Sequence, residues 1–175
     1  MHYATIKWTD IANGEGVRIS LFVSGCTHRC KNCFNEIAWD FSYGNPFDEK
    51  VQEQILKELG SSFIAGLSLL GGEPLEPQNQ RALYPFVKAV REKYPQKSIW
   101  CYTGFVFDEK TGELKESAKN TEVTKPLIAM FDVLVDGPFI EEQKNIRLKF
   151  RGSENQRIID VAKTLEKGAC VLYME

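Results

Sequence analysis

The spacing of three apolar stretches is the feature that most restricts the fold of this chain. Each stretch is rich in apolar, β-branched or aromatic residues and reads as a buried strand. The stretches end at Leu70, Thr103 and Asp136, and each interval between these ends is 33 residues. That is about the length of one strand–helix unit, so the pattern predicts a parallel sheet with right-handed crossovers.

The rest of the first half is predicted from periodicity and from boundary signals. We expect a first strand at 17–24, which is β-branched and aromatic. An amphipathic helix is expected at 46–60, with an acidic first turn and a stop at Gly60. A second helix is expected at 77–95, and Pro85 should kink or interrupt it.

The second half is less regular. The segment 108–113 is compatible with a hairpin turn or a short helix, and 126–131 is expected to form a brief helix before the third strand. Near the end of the chain, 146–152 and 169–174 resemble strands. The segment 155–168 is compatible with either a strand or a helix.

Length sets the scale of the architecture. The chain has 175 residues and no linker-like tract, so we expect a single domain spanning 1–175. A closed eight-fold βα barrel typically needs about 250 residues. The expected fold is therefore α/β, an open partial (βα) barrel with a mainly parallel sheet.

Composition and charge argue against two classes of partner. A net charge of −2 argues against broad binding of nucleic acid. No apolar run approaches the roughly 18 residues that a membrane-spanning helix needs. The first ten residues lack the apolar core of a signal peptide, so we expect a cytoplasmic protein with reduced cysteines.

Polar or glycine-bearing motifs follow four of the predicted strands. They are the cysteine loop at 25–35, GGEP at 71–74, YTG at 102–104 and DGPF at 136–139. In parallel α/β proteins the ligand site lies outside the carboxyl ends of the strands. The four motifs therefore predict one site at that edge of the sheet.

The cysteine loop is the motif most suited to metal binding. Cys26, Cys30 and Cys33 could ligate three corners of a cuboidal iron–sulfur cluster, which usually takes four cysteines. With three protein ligands, one iron keeps an open position for a molecule that is not protein, as catalytic zinc does.

The alternative is a structural zinc site with a fourth protein ligand. The candidates are His28, Cys101 and Cys170. His28 lies inside the loop, where a fourth ligand is geometrically awkward. Cys101 and Cys170 lie in apolar strand contexts, where a free cysteine usually behaves as a small buried hydrophobe.

The order of the motifs resembles the radical S-adenosylmethionine superfamily. The carriers of this resemblance are the spacing Cys-x3-Cys-x2-Cys after a first strand and GGEP after the next strand. It implies a [4Fe-4S] cluster whose open iron is chelated by the methionine end of S-adenosyl-L-methionine. An electron from the cluster would cleave the sulfonium C–S bond and yield a 5′-deoxyadenosyl radical.

A narrower resemblance covers nearly the whole chain. The segments NGEGVRISLFVSGCTHRCKNCFN, LLGGEPL, IWCYTGF, VLVDGPF and RGSENQRIID resemble, in this order, the activating proteins of anaerobic ribonucleotide reductases, which are glycyl-radical activases. The resemblance implies a protein substrate, the anaerobic ribonucleoside-triphosphate reductase, from which the radical removes a glycine α-hydrogen. It also implies a small reducing protein, such as flavodoxin or ferredoxin, as electron donor.

The resemblance assigns roles to residues of the cysteine loop. Cys26, Cys30 and Cys33 would bind the cluster, and Asn32, Cys33 and Phe34 would flank the adenine of the cofactor. The wider superfamily often has an aromatic residue where this chain has Asn32, and the reductase activases resemble this chain in that respect.

The later motifs would complete the cofactor site. Gly71 and Gly72 would let the backbone approach the ligand, and Gly72 and Glu73 would contact its methionine end. Thr103 and Asp136 would border the same pocket. For both of these residues, capping of a turn by a short polar side chain is an equally good explanation.

The stretch 144–157 is rich in lysine and arginine. It could bind the cofactor carboxylate or an acidic partner, although a solvated face is the commoner explanation for such charge. Arg151 and Asn155 stand out because the resemblance marks their segment, and their roles are unassigned.

Two other functions are compatible with parts of the sequence. One is a radical S-adenosylmethionine enzyme that acts on a small purine-like substrate, similar to 7-carboxy-7-deazaguanine synthase. That function calls for a magnesium ligand of its own, for which the sequence has no clear candidate. The other is a zinc-stabilised interaction module without catalysis, which leaves the motifs after the later strands without a purpose.

Overall fold

The computed structural model describes residues 1–175 and contains ten strands and four α-helices. The strands are β1 (His2–Asp10), β2 (Val17–Val23), β3 (Asn45–Pro46), β4 (Ile64–Gly71), β5 (Ser98–Tyr102), β6 (Phe107–Asp108), β7 (Glu113–Leu114), β8 (Val133–Asp136), β9 (Arg157–Asp160) and β10 (Leu172–Met174). The helices are α1 (Glu49–Leu59), α2 (Pro77–Lys93), α3 (Thr124–Ile128) and α4 (Val161–Lys167).

Eight strands form one sheet in the order β10-β9-β8-β5-β4-β2-β1-β3. The central strands β2, β4, β5 and β8 are parallel, as the 33-residue spacing predicts. Both edges are antiparallel, so the prediction of a mainly parallel sheet holds only for the centre. The mixed α/β class is confirmed, and curvature into a partial barrel stays a prediction.

Two predictions for the helices are resolved by the structure. The carboxylate of Asp48 accepts a hydrogen bond from the Val51 amide at 3.0 Å and caps α1, which ends before Gly60 as predicted. Pro85 does not interrupt the second helix, because α2 continues past it from Pro77 to Lys93, and a kink at this residue stays a prediction. None of the helices is long and apolar enough to cross a bilayer.

Of the two strands predicted near the C-terminus, 169–174 contains β10 and 146–152 forms none. The segment 146–152 is not a strand, since Phe150 adopts a left-handed φ of 59° and Ile146 is 92% exposed. The segment 155–168 contains both of the proposed elements, β9 followed by α4. The turn at 108–113 is the hairpin between β6 and β7.

The two faces of the sheet have different coverings. Leu69, Cys101 and Leu134 belong to the main hydrophobic core, which also contains residues of α1, α2 and α3. Their chain neighbours Leu70, Tyr102 and Val135 project to the opposite face, because side chains alternate along a strand. That second face has a smaller apolar cluster around Trp100 and borders a large cavity.

Candidate functional site

A cavity of about 690 Å³ lies against the second face of the sheet and reaches the carboxyl ends of the parallel strands. It brings together residues from the cysteine loop, the GGEP turn and the turn after β5. The predicted site residues that line it are Cys26, Cys30, Asn32, Cys33, Phe34, Gly71, Gly72, Glu73 and Thr103. Asp136 is the predicted residue that does not line it.

The cysteine loop leaves β2 and has one backbone hydrogen bond that anchors its start and another that forms a turn within it. The amide of Cys26 donates to the carbonyl of Trp39 at 3.2 Å, and the amide of Cys33 donates to the carbonyl of Cys30 at 3.2 Å. Asn32 adopts a left-handed φ of 57°, a conformation that asparagine tolerates better than most residues. The loop therefore directs its three cysteines into the same cavity.

The cysteines are free thiols in a partly desolvated setting. Burial raises the pKa of Cys26 to about 12, and nearby Glu73 and Glu76 add to the shift. Burial also raises the pKa of Cys30, helped by the neighbouring Cys33. Any thiolate form of these cysteines would therefore depend on the positive charge of a bound metal.

Of the three proposed fourth ligands for zinc, His28 shares the cavity of the cysteines, whereas Cys101 and Cys170 do not. Cys101 lies in the helix-side core and Cys170 packs against it, so neither lines the cavity. Nε2 of His28 is 2.7 Å from Oε2 of Glu73. No three His, Cys, Asp or Glu side chains converge as ligands of a single ion. Each cysteine ligand of a cuboidal cluster binds a different iron, and Cys26, Cys30 and Cys33 line one cavity.

The two glycines of the GGEP turn are required by backbone packing. A Cβ on Gly71, whose φ is +110°, would lie 2.6 Å from the amide nitrogen of Val23. A Cβ on Gly72 would lie 2.7 Å from the carbonyl oxygen of Gly25. The glycines thus let the GGEP turn approach the cysteine loop, which is a firmer reason for their presence than approach to a ligand.

Glu73 is the most highly bonded side chain of the site and is 1% exposed. Its Oε1 accepts hydrogen bonds from the Thr103 hydroxyl and the Leu75 amide, each at 2.8 Å. Its Oε2 accepts from the Gly104 amide at 2.8 Å and from Nε2 of His28. One carboxylate therefore joins the cysteine loop to the ends of β4 and β5.

The contact with Glu73 changes the pKa of His28. Burial disfavours its imidazolium form, but the hydrogen bond and the charge of Glu73 outweigh burial, so the pKa of His28 is raised. The ring also packs on Phe105 with centroids 4.3 Å apart. Sequence reasoning treated His28 only as a zinc candidate and missed this bridging position.

A second buried carboxylate, that of Glu76, binds the cysteine loop at Thr27. Its Oε1 accepts from the Thr27 amide at 2.8 Å and from the Thr27 hydroxyl. Its Oε2 accepts from Nζ of Lys119 at 2.9 Å. Sequence reasoning missed Glu76 and Lys119. The position of Glu76 in the same turn as Glu73 was an available signal.

Thr103 and Asp136 have structural partners that agree with the turn-capping explanation. The Thr103 hydroxyl accepts from the Phe105 amide at 3.1 Å while it donates to Glu73. Asp136 is 1% exposed, accepts from the Phe107 amide at 2.8 Å and is paired with Arg157. The carboxylate of Asp136 is thus hydrogen-bonded to groups of the protein and does not face the cavity.

Comparison with known proteins adds the following similarities. A family described as "4Fe-4S single cluster domain" matches residues 12–159. The chain is 43% identical, over 160 residues, to the anaerobic ribonucleoside-triphosphate reductase-activating protein of Pasteurella multocida, covering 90% of this chain and 96% of that protein. It is 37% identical over 158 residues to the protein of the same name from Escherichia coli K12, covering 89% and 96%. The corresponding protein of Enterobacteria phage T4 is 37% identical over 160 residues, covering 90% and 93%.

Proposed function

Since this chain belongs to the family of anaerobic ribonucleoside-triphosphate reductase-activating proteins, we propose that it activates such a reductase by generating a glycyl radical on it. When bound, the cluster would supply one electron and S-adenosyl-L-methionine would supply a 5′-deoxyadenosyl radical able to take the α-hydrogen of a glycine, with methionine and 5′-deoxyadenosine as products. The residues of this chain bind and orient these groups.

The observation that carries the proposal is the shared cavity of the cysteine loop and the GGEP turn. Cys26, Cys30 and Cys33 would hold three irons and leave the fourth for the cofactor. Gly72 and Glu73 border the same space and would contact the methionine end, with Thr103 supporting Glu73. Asp136 is not part of this proposal, because Arg157 and a backbone amide already occupy its carboxylate.

The adenine end of the cofactor is assigned to the outer part of the loop. Asn32 and Phe34 both line the cavity, and Phe34 is 94% exposed. An aromatic ring this exposed has apolar surface available for stacking on a base or for covering by a protein. We assign it to the adenine, beside Asn32 and Cys33.

Access to the site suits a protein substrate. The cavity is open to solvent, and Ile37, three positions after Phe34 in the sequence, is a second exposed apolar residue. Exposed apolar side chains beside a site commonly mark a surface that a partner covers. The proposed partner is a segment of the reductase that carries the target glycine. A small reducing protein such as flavodoxin or ferredoxin is the proposed electron donor.

Electron paramagnetic resonance of the reductase tests the function directly. The reductase is incubated anaerobically with reconstituted protein, S-adenosyl-L-methionine and a reductant. We expect a glycyl doublet with the wild type and with the control Cys170→Ala, whose thiol lies outside the cavity. The doublet should be absent with Cys30→Ala. A wild-type protein with a full cluster that yields no doublet, or a Cys30→Ala variant that yields one, would refute the proposal.

A further inference from the structure

The segment between β8 and β9 forms an anchored loop along one side of the cavity. Lys144 and Ser153 form an isolated antiparallel bridge that closes the loop. The ring of Phe150 packs edge-on against Trp100, with centroids 5.3 Å apart, and fixes the loop to the second face of the sheet. The side chain of Arg151 follows directly and lines the cavity.

The guanidinium of Arg151 is held from one side only. Its Nη1 donates to the carbonyl oxygen of Gln156 at 2.6 Å and, more weakly, to that of Glu154 at 3.3 Å. Its Nε is buried and has no hydrogen-bond partner, and Nη2 makes no hydrogen bond within the chain. Arg151 forms no ion pair with any carboxylate, including Glu73 and Glu141 of the same cavity wall.

A second unpartnered donor lies in the same wall. The hydroxyl of Tyr102 is buried without a hydrogen-bond partner, and Tyr102 also lines the cavity. Burial raises the pKa of Tyr102, so the hydroxyl keeps its proton. Both unsatisfied buried side-chain atoms in this wall can therefore donate a hydrogen bond, and such atoms normally have a partner.

We infer that Arg151 binds a carboxylate of the molecule that occupies the cavity. The two N–H groups on the Nε–Nη2 edge of a guanidinium are parallel and match the two oxygens of a carboxylate. Nη1 is already fixed by backbone carbonyls, so the free edge is pre-oriented before the ligand arrives. The Tyr102 hydroxyl is a further free donor in the same cavity wall.

The carboxylate has two possible sources, and their identity rests on the proposed function. One source is the methionine carboxylate of S-adenosyl-L-methionine. The other is an acidic group of the reductase segment that enters the cavity. In both cases Arg151 would bind a carboxylate, and binding measurements distinguish the two sources.

The test compares affinities of reconstituted Arg151→Gln and Arg151→Lys proteins with the wild type. Calorimetry measures binding of S-adenosyl-L-methionine and of its decarboxylated analogue, and a surface assay measures binding of the reductase. Lys149→Gln is the matched control, because Lys149 is exposed, lies in the same loop and does not line the cavity. Iron content and far-UV circular dichroism verify that each variant is folded.

If the cofactor is the source, Arg151→Gln should bind S-adenosyl-L-methionine about tenfold or more weakly and the decarboxylated analogue as the wild type does. If the reductase is the source, cofactor binding should be unchanged and reductase binding should fall by about tenfold. In either case Arg151→Lys should lie between wild type and Arg151→Gln, and this comparison decides the matter if Arg151→Gln does not fold.

Equal losses for the two cofactor forms with reductase binding unchanged, or unchanged affinity for all ligands, would overturn the inference. This failure is distinct from failure of the proposed function. The function fails if the wild type produces no glycyl radical, whereas the inference fails only if the Arg151 variants show neither carboxylate-dependent loss.

Discussion

Four hydrogen-bond donors from three segments converge on the carboxylate of Glu73, which leaves this side chain with no evident spare acceptor site. They are the side chains of His28 and Thr103 and the amides of Leu75 and Gly104. An ionised carboxylate offers about four lone-pair sites. A side-chain contact between Glu73 and the cofactor amino group would therefore displace a donor, and His28 is the donor that comes from the cysteine loop. Glu73 thus orders the site even before it contacts any ligand.

Glu73→Gln should lower the free energy of unfolding by about 1–3 kcal/mol, because an amide cannot accept from all four donors and leaves buried groups unpaired. Urea unfolding of the metal-free protein under anaerobic conditions measures this change. Glu53→Gln is the control, since Glu53 lies exposed on α1 and makes no side-chain hydrogen bond. Equal urea midpoints for both variants would show that the Glu73 network adds no stability.

At the scale of elements, the cysteine loop is attached to the start of α2 and to the segment before α3. Glu76 precedes α2 and accepts from Thr27, while Lys119 donates to both Glu76 and Thr27. Burial alone would raise the pKa of Glu76, but the hydrogen bonds from Thr27 and Lys119 outweigh it and lower the pKa. The ionised carboxylate therefore stabilises the native loop.

Lys119→Met should lower the free energy of unfolding at pH 7 by roughly 1.5–3 kcal/mol, the range for a hydrogen bond to a charged group. It should also speed hydrogen exchange at 26–33. In the wild type, the contribution of Glu76 is present above its unfolded pKa and is lost as pH falls through its lower folded pKa. In the variant that loss should begin at higher pH.

Unfolding curves between pH 7 and pH 3 measure both effects of Lys119→Met. Lys115→Met is the matched control, because Lys115 is exposed in the same segment and its side chain has no partner. If the two variants unfold alike and exchange alike at 26–33, the attachment of the loop through Lys119 is refuted.

At the scale of the molecule, the main hydrophobic core and the site occupy opposite faces of the sheet. The core packs β2, β4, β5 and β8 against α1, α2 and α3 and contains none of the three clustered cysteines. Small metal domains that lack such a core unfold without their metal. This chain has a core of 26 buried residues, so its fold should not depend on the cluster.

Removal of the cluster with a chelator should leave far-UV circular dichroism and cooperative unfolding largely unchanged. Hydrogen exchange should become faster at 26–35 and stay slow in β4 and β5, because only the loop loses its ligands. Hydrogen-exchange mass spectrometry of the two forms measures this difference. Loss of protection in the central strands after chelation would show that the cluster supports the whole fold.

The sequence by itself determined the elements whose signals are local or periodic. The 33-residue spacing predicted the parallel centre, helix boundary signals predicted α1, and the cysteine spacing with GGEP predicted the family. The strand β1 was missed although Ile6 and Trp8 alternate with polar residues as in a half-buried strand, because it lies outside the repeating strand–helix units and pairs antiparallel.

Only the tertiary structure decided which polar groups meet at the site. Thr27 lies 49 residues from Glu76 and 92 from Lys119, and no local pattern encodes such contacts. The same holds for the free edge of Arg151 and for the occupied carboxylate of Asp136. Periodicity in a sequence reports the exposure of each residue within its own element, whereas hydrogen-bond partners depend on how separate elements pack together.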